Sequence, residues 1–182
     1  GFLSSSSVTK SGNLYVQLVN AGAAAIPSLD VSYTVEKYRN GSNPAGFRIQ
    51  LFFSPDGVNW TSAGEDFFTG FSPDGNTETF PVAPGETVAV SATLDLSATP
   101  LAAGSSLYLA WNYSVATGTT TSYAQALGVD DVFVMVTGSE GFNVYFDQVE
   151  GFVVLEGIPE TLMALAGGGT EPYAYSWSST LG

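Results

Sequence analysis

The chain has 182 residues, with 17 acidic side chains against four basic ones, a formal net charge of −13, and neither cysteine nor histidine. Without Cys there are no disulfides, thiol chemistry or Cys-ligated metals, and without His the commonest general base and zinc ligand are gone. The negative charge opposes a phosphate backbone and so argues against nucleic acid as a partner; 45% of the residues are hydrophobic, enough for a packed core, and no apolar run approaches the ~20 residues of a membrane helix.

Taken in order, residues 14–20 form the first predicted strand, with Leu14, Val16 and Leu18 on one face. Residues 27–64 predict three consecutive antiparallel strands, a β-meander with one apolar face. In the first, Val31, Tyr33 and Val35 alternate with Ser32, Thr34 and Glu36; in the second, Phe47, Ile49, Leu51 and Phe53 alternate with Arg48, Gln50 and Phe52. Asn40-Gly41-Ser42-Asn43-Pro44 turns the chain between them, and Ser54-Pro55-Asp56-Gly57 leads into the third. A second Ser72-Pro73-Asp74-Gly75 suggests a similar turn.

Residues 87–96 set Val88, Val90, Ala92, Leu94 and Leu96 against Ala89, Ser91, Thr93 and Asp95. Residues 106–115 place Leu107, Leu109, Trp111, Tyr113 and Val115 together, which assigns Trp111 to the core, and residues 123–136 form a last long strand. Beyond Gly138, residues 142–148 and 152–155 read as short strands, and residues 161–166 are the only short helical possibility. Strands separated by turn clusters predict an all-β, antiparallel β-sandwich, jelly-roll-like, with additional C-terminal strands. The sandwich is expected over residues 1–137; residues 138–182 form a strand extension, either an assembly arm or the start of a further module.

Residues 48–61, which contain Ser54-Pro55-Asp56-Gly57-Val58-Asn59-Trp60, resemble the S-x-D-G-x-x-W hairpin of discoidin-like and other extracellular jelly-roll modules. With Ser32-Tyr33-Thr34-Val35-Glu36-Lys37-Tyr38-Arg39 and Leu127-Gly128-Val129-Asp130-Asp131-Val132, this hairpin resembles a β-sandwich module of secreted bacterial multidomain proteins over about residues 8–137. Tyr38 stands where that pattern favours Trp. The resemblance implies a non-catalytic module, secreted or at the cell surface, of a kind that lies beside nucleases or surface-anchoring domains. The stretch from Ala166 to Ser178 resembles the opening of bacterial adhesin repeats with a GGTxPYxYxW pattern. Its Tyr173, Tyr175 and Trp177 fall on one side of an extended segment, where they would pack onto this domain, begin a next module, or add to a neighbouring copy's sheet edge.

Glu36 and Arg48 are expected to form a structural ion pair across the first hairpin. Asp56, Asp74, Asp130 and Asp131 are the candidate calcium ligands, with turn hydrogen bonding as the competing role for Asp56 and Asp74. Within a strand, Asp130 and Asp131 should point to opposite faces. Trp60 would serve a sugar only if its ring is exposed.

Three functional readings follow. The first is a non-catalytic extracellular structural or adhesive subunit that associates with other copies or adjacent modules through its terminal strands. The second is a carbohydrate-binding module, with or without calcium, marked by an exposed aromatic pair beside polar loops. The third is a glycoside hydrolase, since small jelly-roll glycosidases share this size and Tyr/Trp/Gly content, although their catalytic motifs are missing here.

Overall fold

A computed structural model describes residues 10–80 and 84–137, and the backbone of residues 143–146 and 164–167. Ten strands lie in two antiparallel sheets, with one short 3-10 turn at Glu65–Phe67 and no α-helix among the described residues. The first sheet contains β1 (Ser11–Val19), β7 (Ser106–Val115) and β3 (Phe47–Ser54), flanked by β4 (Thr61–Ser62) and β5 (Phe68–Phe71). The second runs β10 (Ala164–Gly167), β9 (Asn143–Phe146), β8 (Ala126–Val136), β2 (Ser28–Arg39) and β6 (Glu86–Asp95). The long strands β1, β2, β3, β6, β7 and β8 alternate between the sheets, the winding of a jelly-roll-like sandwich. No helix among the described residues is long and apolar enough to cross a membrane.

Alternation along each strand builds the core. Val31, Tyr33 and Val35 from β2 face Phe47, Ile49 and Leu51 from β3, all buried, with Leu107, Leu109, Trp111 and Tyr113 of β7 between the strands of the first layer. Trp111 is fully buried and meets Tyr33 edge to face at 5.6 Å, while Phe47 stacks on Tyr113 at 5.2 Å. Such pairs add about 0.5–1.5 kcal/mol beyond the area they bury. The Tyr33 hydroxyl donates to the Phe67 carbonyl, and burial pushes its pKa upward.

The expected meander does not form. β2 pairs with β6 and β8, so both of its edges are occupied, and β3 lies in the opposite layer. Residues 40–46 therefore cross the end of the sandwich. Asn43 holds this crossing: its Nδ2 donates to the carbonyls of Thr120 and Ser122, and its Oδ1 accepts from the Ala45 amide. Gly46 has φ of 68°, and a Cβ there would sit 2.1 Å from the Phe71 carbonyl oxygen, so only glycine lets the two connections close.

This topology also undoes the Glu36–Arg48 pair. The two residues lie on the outer faces of different sheets, with the core between them. Glu36 accepts a hydrogen bond from the Tyr38 hydroxyl, and Arg48 Nε donates to Ser114 Oγ at 3.1 Å. The opposite-face expectation for Asp130 and Asp131 fails as well. Asp131 has φ of 51°, and the register against β2 shifts between Ser32 and Thr34, a β-bulge. The bulge changes the inward phase from Leu127 and Val129 to Val132, Val134 and Val136. It leaves Asp131 exposed, with its carboxylate 3.5 Å from the Thr34 hydroxyl on the outer face.

Residues 164–166, read as a short helical possibility, belong to β10, which pairs with β9. The strand expected at residues 142–148 appears as β9, and that at 152–155 lies outside the described residues. The described part of the C-terminal extension thus continues the second sheet beyond β8.

Candidate functional site

Two polar regions stand out, and only one of them faces solvent. The first closes the end of the sandwich crossed by residues 40–46. Lys37 falls in the inward phase of β2 and is only 5% exposed. Its Nζ reaches Asp74 at 2.9 Å and Glu86 at 2.6 Å and lies 5.3 Å from the Phe71 ring centre. Asp74 also accepts from the Gly41 amide and from Gln125 Nε2. Gln125 is fully buried: its Oε1 accepts from the Phe47 amide, and Nε2 also donates to the Ser72 carbonyl. Burial opposes the Asp74 charge, but hydrogen bonds from Gln125, Lys37 and Gly41 outweigh it and hold the carboxyl below the usual aspartate range. Burial likewise opposes the Lys37 charge, and its two acidic partners outweigh that and raise its pKa. Every group in this cluster is occupied by another, so its role is to lock three crossings together.

The aspartates considered for calcium do not converge. Asp56 lies past the C-terminal end of β3, whereas Asp74 sits at the end of the sandwich where β3 begins, and Asp130 pairs with Thr34 in the second sheet. Asp56 accepts from the amides of Asn59 and Val58, the Asn59 side chain and the Ser54 hydroxyl, bonds that hold its carboxyl well below the usual range. It is a turn residue. Among the described residues no group of three or more His, Cys, Asp or Glu could hold a metal ion. Tyr173, Tyr175 and Trp177 lie outside the described residues.

The solvent-facing region is the outer face of the first sheet. The register aligns outward side chains in rows across β1, β7 and β3: Tyr15–Ala110–Phe52, Asn13–Asn112–Gln50 and Ser11–Ser114–Arg48. Trp60, at the foot of the Asp56 turn, reaches toward Tyr15 from the far edge, and their ring centres lie 5.4 Å apart, tilted by 47°. Strands β7 and β3 separate the two backbones, so the rings meet over the face of the sheet. Ala110 is only 3% exposed although both its neighbours turn inward, which the flanking rings explain. Gly57 carries the same turn against the Tyr108 ring, where a Cβ would be 3.6 Å away.

Tyr15 itself remains 55% exposed. Next to the rings, Asn112 Nδ2 donates to Asn13 Oδ1 at 2.8 Å, and Gln50 Nε2 donates to the Gly64 and Leu51 carbonyls. One row further lies an open depression of about 400 Å³, lined by Lys10, Ser11, Arg48, Asn112, Ser114 and Thr119 among others. Aromatic area followed by ordered amides and hydroxyls is the make-up of a small-molecule or glycan contact surface, where apolar rings supply area and a few polar groups fix orientation.

Sequence reasoning placed Trp60 near a turn but not Tyr15 beside it. The signal for Tyr15 was its phase, opposite to Leu14, Val16 and Leu18, on a strand assigned a core face. Three residues that carry the family resemblance meet elsewhere: Tyr38 bonds Glu36 and lies against Gly128, where a Cβ would be 2.7 Å from its ring. That contact is packing on the outer face of the second sheet. Compared with known proteins, the chain matches no family model and no curated sequence.

Proposed function

We propose that this chain is a non-catalytic, extracellular binding module that holds a polysaccharide on the outer face of its first sheet. The Tyr15–Trp60 ring pair supports this reading most directly. Tyr15 is exposed and Trp60 half-buried, and the two rings, tilted by 47°, offer electron-rich faces that suit the C–H side of a pyranose, while Asn13 and Asn112 offer donors and acceptors to its hydroxyls. The test is retention on immobilised polysaccharides, with retention expected to fall when both rings are truncated. A protein retained equally well without them would remove the reading.

A second reading, self-association through sheet edges into a surface assembly, has its own observation. Among the described residues β1 is a nine-residue edge strand, SGNLYVQLV, without charge, proline or register shift along its pairing with β7. Edges are ordinarily blunted by such devices. Strand addition there by another copy would extend the sheet. Sedimentation velocity should then show association that rises with concentration; a monomer throughout rejects it.

A further inference from the structure

The distribution of charge on this face points to a ligand class. The chain carries 17 acids and only four basic residues. Not one acid lies on the five strands of the first sheet. The second sheet carries Asp30, Glu36, Glu86, Asp95, Asp130 and Asp131. Of the four basic residues, Lys37 is consumed by Asp74 and Glu86, while Lys10 and Arg48 both line the open depression. The strands of this sheet thus carry no negative charge, Asp56, Glu65 and Asp66 lying in the connections at its edge, and two of the four basic residues line the depression on its face.

Arg48 is held in a fixed pose. Nε donates to Ser114 Oγ at 3.1 Å, and the guanidinium carbon stands 5.9 Å from the Phe68 ring centre. Among the described residues no carboxylate pairs with it. An oriented guanidinium with a hydroxyl beside it and no acid partner suits an oxyanion, which it can grip with two parallel N–H bonds. The ring pair lies four residues along β1 from the Ser11–Ser114–Arg48 row, about 13 Å at the usual rise of a strand. The Asn13–Asn112–Gln50 row fills that interval. A ligand that uses both ends must therefore be an extended chain of rings bearing negative groups.

We infer that the face selects an acidic polysaccharide, in which Tyr15 and Trp60 stack on one sugar while Arg48, with Lys10 at the rim, engages the carboxylate or sulfate of another. This rests on the glycan reading above, and its test separates the two. Binding of the intact chain to dextran, polygalacturonate and dextran sulfate is compared by affinity electrophoresis at low and high salt, alongside Arg48→Gln and Tyr15→Ala. At least one acidic polymer is expected to bind about tenfold tighter than dextran, by a margin that shrinks with salt and disappears in Arg48→Gln. Preference for polygalacturonate assigns a carboxylate, and preference for dextran sulfate assigns a sulfate ester. Equal affinity for all three, or an unchanged acidic preference in Arg48→Gln, overturns this inference alone if Tyr15→Ala still weakens binding. Failure of every polymer to bind overturns it together with the glycan reading. Arg48 is half-exposed on the outer face, so an unfolding midpoint close to that of the unaltered chain is expected and separates lost contact from lost fold.

Discussion

Gln125→Ala is expected to lower the free energy of unfolding by about 3–5 kcal/mol, read from the urea midpoint at constant slope. The side chain is fully buried and bonds three partners, the first amide of β3 and two groups, Ser72 and Asp74, of the β5–β6 connection. Truncation leaves the Phe47 amide without an acceptor in a site closed to water, and it removes a donor from both the Ser72 carbonyl and Asp74. Each orphaned buried group costs about 1–3 kcal/mol.

The loss should also depend on pH, with a definite sign. Asp74 ionises below its unfolded value of 3.8 in the folded protein. It therefore contributes stability that is present above that value and is lost as pH falls through the folded pKa. The variant lacks one donor to that carboxylate and has less of this stability to lose. The gap between variant and unaltered chain should consequently be widest near neutrality and narrow below about pH 4. Lys37 has a raised pKa, so its contribution is constant across this range and is lost only on the alkaline side of 10.5. A gap under about 0.5 kcal/mol at pH 7, the ordinary effect of a surface change, would mean that the end of the sandwich is held by other contacts.

The second large effect falls on binding and leaves the fold alone. Tyr15→Ala combined with Trp60→Ala should cut polysaccharide affinity by about a hundredfold, since truncating a central aromatic anchor commonly costs ~2 kcal/mol or more. Because the two rings touch, each single change should already disturb the other, and the double variant should lose less than the sum of the singles. Neither ring belongs to the buried core, so the unfolding midpoint should move little. A double variant that binds as well as the unaltered chain but unfolds much earlier would recast the pair as structural.

The periodicity of β2, β3, β6 and β7 was enough to locate those strands and their inward faces, because alternation is a local property that packing preserves. Pairing is not local. A turn-rich stretch such as residues 40–46 is compatible with a hairpin or with a crossing between layers, and the choice is made by partners far along the chain: Thr120, Ser122 and Asp74, with Gln125 on the Phe47 amide that follows. The two Ser-Pro-Asp-Gly tetrapeptides show the same limit. In the first, Asp56 serves its own turn; in the second, Asp74 turns inward to Lys37 and Gln125. Lys37 did carry a signal, a cation in phase with Val31, Tyr33 and Val35, which requires a buried partner. The bulge at Asp131 left none, since a positive φ at a non-glycine residue has no reliable trace in sequence. The binding face was half legible: Trp60 by its turn, Tyr15 only by being out of phase with a core stripe, and Arg48 only once the rows were aligned.

The most direct test of the central claim is the map of amide and indole NMR shifts of nitrogen-15-labelled protein titrated with a bound polysaccharide. The face described predicts perturbations concentrated at Ser11–Val19, around Ala110 and Asn112, near Arg48 and Phe52, and at the Trp60 indole. Perturbations confined to the outer face of β2, β6 and β8, with Tyr15 and Trp60 unmoved, would contradict it.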